Sequence, residues 1–340
     1  MLRFAVFSIA VLSVALAGCL RTDDLNEVVV YAALDSEFSQ PILDDFARDT
    51  GIRVLPKYDA ESTKTLGLTQ ALIAEAARPR CDVFWNNEIL NTLRLEELGL
   101  LNVYRPPVAE QYPARYRSPD GTWHGFAGRA RVLVVNTQLV PEHERPTSIY
   151  DLLDPKWKGK IGIAKPLFGT TATHAACLFA HLGDERAREF FRGLKANDVR
   201  ILAGNKQVAL SAAAGQIAFG LTDTDDAIVE IEKGLPVALV YPDRREDQMG
   251  TLFIPNTVAI IKGSPHQDAA RRLVDYVLSP EVEAKLALCP SAQIPLNPRV
   301  AAQPRVETPR TVKALPVDFS LAARRWNAAA AFIRDEFTGP

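Results

Sequence analysis

The run Thr222-Asp223-Thr224-Asp225-Asp226 sets three carboxylates within four residues, directly after the apolar stretch Gln216–Leu221. Carboxylates crowded in this way raise each other's pKa values unless a cation or hydrogen-bond donors offset the charge. Their hard oxygens suit a hard metal ion or an ammonium group. The same residues also suit a helix start, with Thr222 or Thr224 as its cap and the aspartates in its first turn. Two further polar groups follow apolar runs: Asp35-Ser36, and Asn86-Asn87-Glu88 after Asp82-Val83-Phe84-Trp85. Anion chemistry is represented too. Gly169-Thr170-Thr171 precedes a helical pattern, where free N–H groups and two hydroxyls favour an anion. Arg129 and Arg131 flank an apolar crossing strand and are read as facing opposite sides, so that one of them reaches a ligand. The plainer alternatives are a surface salt bridge for either arginine and a simple N-cap for Thr170. His174, Cys177 and His181 share one helical face, but in an Ala- and Leu-rich helix they are expected to pack, not to bind a soft metal.

These groups need a scaffold, and the hydrophobic pattern supplies one. Strands are expected at Glu27–Leu34, Ile52–Leu55 and Asp82–Trp85, separated by helices at Ser36–Thr50 and Thr65–Ala77. That alternation implies a mostly parallel sheet with helices on its faces. A continuous strand at Ala130–Asn136 leads into a second α/β block with a helix after Ser148, a strand at Ile161–Ala164, a helix at Thr171–Leu182 and a strand at Gln216–Leu221. Gly250–Ile261 reads as a strand returning to the first block. Single helices are expected over His266–Leu286 and Leu321–Phe337, with an irregular Pro-rich segment at Cys289–Pro309. The fold class is therefore α/β, with two lobes and a ligand cleft between them. Residues 27–129 plus 252–300 form the first lobe and residues 130–251 plus 301–340 the second. In open α/β sheets ligands gather at the carboxyl ends of strands, where the three polar groups converge.

Length and composition agree. The 340 residues, 47% hydrophobic and 24% charged, suit two soluble globular domains. A formal net charge of −2 gives no basic excess for nucleic acid. No G-x-S-x-G elbow, phosphate-binding loop, dinucleotide fingerprint or H-E-x-x-H pair is present, so an enzyme is not expected. Residues 1–18, with Arg3 ahead of an apolar run ending at Ala17-Gly18, read as a secretory signal. Leu16-Ala17-Gly18-Cys19 matches the bacterial lipobox, which makes Cys19 the acylated first residue of the mature chain; residues 19–26 are then a linker. Loss of Arg3 leaves a net charge of −3. Cys81, Cys177 and Cys289 are expected as separate thiols.

Several stretches together resemble the periplasmic ferric-iron-binding proteins of ABC transporters. They are Val29–Tyr31 before a helix, Asp82–Trp85, Gly128–Val132, Pro155–Gly162, Asn205–Leu210 and Pro295–Pro298. The resemblance implies a two-lobed protein that closes on its ligand and delivers it to a permease driven by an ATPase. It is then a monomer at the extracytoplasmic face of a bacterial membrane. Iron binders of this family commonly use a His, a Glu and a Tyr-Tyr pair. Here Asp35 stands at the first position, Asn87 with Glu88 at the second and Asp225-Asp226 at the third, so hard oxygen donors remain while the paired phenolates do not. Arg129 matches the family's arginine, and Gly169-Thr170-Thr171, with Asn205 and Thr222 nearby, falls where its anion loop lies. The implied ligand is iron(III) or another metal ion, with a synergistic anion as an option. The alternative is a small organic cation or zwitterion, such as an amine or aminophosphonate, its ammonium on Asp225 and Asp226 and its acid group on Arg129. An extracytoplasmic enzyme on the same fold is the distant alternative.

Overall fold

A computed structural model describes residues 26–59 and 66–338; the leader and Cys19 lie outside the described residues. The first block begins with Val28, Val30 and Ala32 buried on β1 (Glu27–Ala32). Helix α1 (Ser36–Thr50) lays Phe38, Ile42, Leu43 and Phe46 on the sheet, and Gly51 ends it in the left-handed conformation that glycine adopts without strain. Strand β2 (Arg53–Tyr58), helix α2 (Leu66–Ala74), strand β3 (Val83–Asn86) and helix α3 (Leu90–Glu97) complete the unit. β1 pairs in parallel with both β2 and β3.

Strand β4 (His124–Asn136) is wholly buried and runs through both halves of the molecule. The second block then follows as β5 (Ile161–Ala164), α4 (Gly169–Leu182), α5 (Asp184–Ala196), β6 (Arg200–Leu202), α6 (Asn205–Ala213), β7 (Phe219–Asp223), α7 (Thr224–Glu232) and β8 (Val237–Val240). Strand β9 (Phe253–Ile260) returns to the first block. Helices α8 (Gln267–Val277), α9 (Pro280–Leu288) and α10 (Phe319–Thr338) finish the chain. The sheet order is β2-β1-β3-β9-β4-β7-β5-β6, with β8 also on β4. Parallel sets on each side are thus joined by antiparallel β9 and β4. His124–Ala130 pairs with β9, whereas Arg131–Val135 pairs with β7. Gly220 on β7 permits close approach, because a Cβ there would lie 2.5 Å from Val208 and 2.6 Å from the Gly162 carbonyl.

Three sequence expectations need correction. The single helix over His266–Leu286 is two, because Pro280 lacks an N–H and begins a new helix capped by Ser279 on the Val282 N–H. The helix expected after Ser148 is a short 3-10 turn, Ile149–Leu153. The strand expected over Gln216–Leu221 lies at Phe219–Asp223, which carries Asp223 into the sheet itself.

β4 carries a bulge at Ala127, whose φ of 35° shifts the register between Phe126 and Gly128. The Ala127 N–H donates to Glu283 at 2.6 Å, and Glu283 also accepts from the Leu296 and Asn297 N–H groups. Burial raises the Glu283 pKa, while these N–H donors act in the opposite direction. Asn256 donates to the Ala127 carbonyl. The bulge that precedes Arg129 is therefore held from both sides.

Candidate functional site

Asp223, Asp225 and Asp226 bring ligand oxygens within 4.8 Å of one another. β7 ends at Asp223 and α7 starts at Thr224, so the strand-to-helix turn aims all three toward β4. Neither threonine caps α7: Thr222 donates to the Asn205 carbonyl, and Thr224 accepts from the Ala130 N–H. These bonds instead tie α7 to α6 and to the crossing strand.

Arg129 and Arg131 both reach this acidic cluster, contrary to the expectation of opposite faces. Residues two apart on a strand share a face, because the side-chain period is two. Arg131, with 0% of its side chain exposed, donates to Asp223 at 2.7 Å and to Thr170, Thr171 and Asn205 at 3.1 Å each. Asp223 also accepts from Thr170 and, at 2.9 Å, from Asn205. The residues expected to bind an anion at the starts of α4 and α6 thus form one network around the Arg131–Asp223 pair.

Arg129 lies at the seam between the lobes. Its Nε donates to Asp225 at 2.9 Å, one terminal nitrogen to the Asn87 carbonyl and the other to Asn256 at 3.2 Å. Burial acts to lower its pKa, but Asp225, Asp223, Asp226 and Asp35 together raise it. All four carboxylates thus act on one guanidinium, Asp225 by direct contact and the others through space.

Asp35 precedes α1 and lines a cavity of about 370 Å³ with Ser36, Glu37, Tyr58, Asp59 and Lys206. Lys206 on α6 pairs with Glu37 on α1 at 3.2 Å, and both line this cavity. Partial burial acts against the Lys206 ammonium, yet Glu37, Asp35 and Asp226 raise its pKa overall. Sequence reasoning missed Glu37, Asp59 and Lys206. Tyr58 is a phenol in this cavity, whereas Tyr241 lines a groove elsewhere, against the Pro-rich segment.

Glu88 is engaged structurally. It accepts from the Leu90 and Asn91 N–H groups, from Asn86 and, across to α4, from Thr173 at 2.7 Å. It caps α3 and links the lobes. Asn87 is buried, and its Oδ1 has no hydrogen-bond partner. His174 and Cys177 are buried and His181 is partly exposed; among the described residues only the three aspartates form a metal-ligating group. Among the described residues, Cys81, Cys177 and Cys289 are free thiols.

Burial, with a lesser contribution from Arg131, holds the His174 imidazole well below its ordinary range. An imidazole that protonates more readily when unfolded makes the unfolded chain bind more protons below about pH 6.5. Its stabilisation is complete above that pH and is lost as pH falls through it toward the lowered folded value. His174→Gln should flatten the acid limb of the urea midpoint-against-pH curve below about pH 6.5. An unchanged limb would show that His174 does not contribute to it.

Two α/β lobes joined by crossing strands, with charged side chains gathered at their seam, define the two-lobed fold of the periplasmic binding proteins. The chain matches the bacterial extracellular solute-binding protein family over residues 91–322 and belongs to it. The major ferric iron-binding protein of Neisseria meningitidis is 26% identical over 94% of this chain and 95% of its own length. Iron-bound HitA from Pseudomonas aeruginosa superposes with a TM-score of 0.82 at 24% identity, covering 92% of this chain and 99% of that one. AfuA from Actinobacillus pleuropneumoniae, solved with fructose-6-phosphate, gives 0.81 at 24% identity over 92% and 98% of the two chains.

Proposed function

We propose that the chain is the cargo-binding component of an ABC importer, and that its cargo is iron(III) or another hard metal ion. The observation that carries this reading is the cluster of Asp223, Asp225 and Asp226, whose oxygens lie within 4.8 Å of one another beside buried Arg129, with Asp35 acting through space on the same guanidinium. Hard oxygen donors of this kind suit a hard cation. The buried Asn87 Oδ1 and the Tyr58 phenol add oxygen donors at the same seam. Asp223 is excluded from the ligand set because Arg131, Thr170 and Asn205 already occupy its oxygens.

The zwitterion alternative needs Arg129 for the acid group. All three guanidinium nitrogens already donate within the protein, which favours the metal reading. A synergistic anion would have to displace part of the Arg131 network. Cargo then closes the lobes by favouring the form in which both contact it. The lobe limits are taken as 27–129 plus 252–300 and 130–251 plus 301–340, supported by the change of β4 partner at Arg131. The chain acts as a monomer, acylated at Cys19 on the extracytoplasmic face, and hands its cargo to permease and ATPase subunits without itself being an enzyme.

The test is thermal unfolding of the purified mature chain with ferric nitrilotriacetate, divalent metal salts, small amines and aminophosphonates. A ligand that binds only the folded form raises the Tm. A rise with amines and none with any metal would overturn the reading.

Lys206 supplies a built-in competitor for cargo charge. Lys206→Met should tighten cation binding by up to about fivefold, the scale set by an exposed ion pair. Isothermal titration against the parent chain checks this, and weaker binding by the variant would show that Lys206 assists cargo instead.

A further inference from the structure

We infer that one end of the first lobe is a membrane-contacting face, built to rest on an anionic bilayer beside the acyl anchor. The inference rests on the proposed acylation of Cys19. Only seven residues separate Cys19 from the start of β1 at Glu27. Fully extended, they reach about 25 Å, so whatever surrounds Glu27 is held close to the lipid surface.

Arg53 pairs with Glu27 in register, and His266 lies 3.8 Å from the Glu27 carboxylate. The turn after β9 meets the loop before β3, since a Cβ on Gly263 would lie 3.9 Å from Pro79. Exposed Arg78, Arg80 and Lys262 thus share this end. The Lys262 N–H donates to the Leu100 carbonyl and the Asn102 N–H to that of Ile260, which brings the loop after α3 alongside. That loop exposes Leu98 by 55% and Val103 by 57%.

The charge balance favours an anionic surface. Arg78, Arg80 and Lys262 make no ion pair with other described residues. Nearby carboxylates are mostly engaged: Glu27 by Arg53, Asp82 by His266 at 2.8 Å and Asp268 by Arg271 at 3.1 Å. Glu97 lies near Arg94. Cations interspersed with exposed Leu and Val match the headgroup and acyl boundary of a bilayer. One such contact beside a single anchor would hold the lobe in a fixed orientation and leave the second lobe free to close.

The test uses the non-acylated mature chain, which contains every described element, so that lipid partition does not mask the surface. It is sedimented with phosphatidylcholine vesicles, with or without one quarter phosphatidylglycerol, at low and high salt. Binding is expected only with phosphatidylglycerol and should fall at high salt. Each basic residue contributes about fivefold near such a surface. Arg78→Glu with Arg80→Glu and Lys262→Glu should therefore lower binding more than tenfold, while a charge-matched control of Arg299→Glu, Arg310→Glu and Arg324→Glu binds as the parent. Equal binding to both vesicle types, or equal loss in the control, would overturn the proposal; unchanged Tm values establish that the variants are folded. Intact mass of the chain from native membranes tests the anchor separately. A Cys19 without acyl groups removes the anchor reading, whereas the vesicle result decides the surface.

Discussion

Ferric ion supplied at about a hundredfold excess over its Kd should stabilise the folded chain by about 2.7 kcal/mol. For a protein of this size that corresponds to a rise in Tm of roughly 4 °C. Asp226→Ala should remove most of the rise, because Asp226 contributes a carboxylate in the first turn of α7, its oxygen within 4.8 Å of those of Asp223 and Asp225. Asp35→Ala should do the same from the opposite lobe. Asp225→Ala is a poorer probe, since it leaves Arg129 buried without its ion-pair partner and confounds binding with stability. His174→Ala should leave the metal-induced rise intact. A full rise in Asp226→Ala and Asp35→Ala would place the metal elsewhere or exclude it.

The largest effect on stability is expected at Arg131. Its replacement by Leu leaves the Asp223 carboxylate, 5% exposed, facing Thr170 and Asn205 with no cation. Breaking a buried pair from one side costs about 3–5 kcal/mol. Urea unfolding should show this as a lower midpoint at unchanged slope. Adding Asp223→Asn should recover a large part of the loss, because the amide is neutral and still bonds to both neighbours. A loss below about 1 kcal/mol would mean that solvent reaches the pair and that the network is not the internal brace of the second lobe.

The two experiments separate roles that the residues' chemistry alone does not. Asp223 and Asp226 are the same residue type three positions apart. One ends a strand beneath the starts of α4 and α6, whereas the other begins a helix facing the cleft. Position in the fold, not identity, makes one a structural partner and the other a cargo ligand candidate.

Much of the architecture was legible in the chain. The apolar periodicity of α1, the second half of β4 from Ala130 to Asn136 and the polar residues after β1, β3 and β7 follow from local rules of burial and turn chemistry, whereas the first half of β4 from His124 to Arg129 was not read as strand. Those rules depend only on residues near in sequence. The split between α8 and α9 was equally present in Ser279-Pro280, although helical periodicity on either side obscured it. That Arg129 and Arg131 share a face follows from strand period alone.

What the tertiary structure decided was which charges meet. Arg131 and Asp223 lie 92 positions apart, and Arg129 and Asp225 96 apart. Lys206 reaches Glu37 across 169 residues, and nothing near either residue announces the other. Coulomb and hydrogen-bond energies depend on separation in space and on shielding from water, which chain order does not specify. The acidic run Asp223–Asp226 was therefore recognisable as chemistry from its spacing. Its division into a carboxylate neutralised by Arg131 and carboxylates turned to the seam beside Arg129 arose only when two lobes folded against β4.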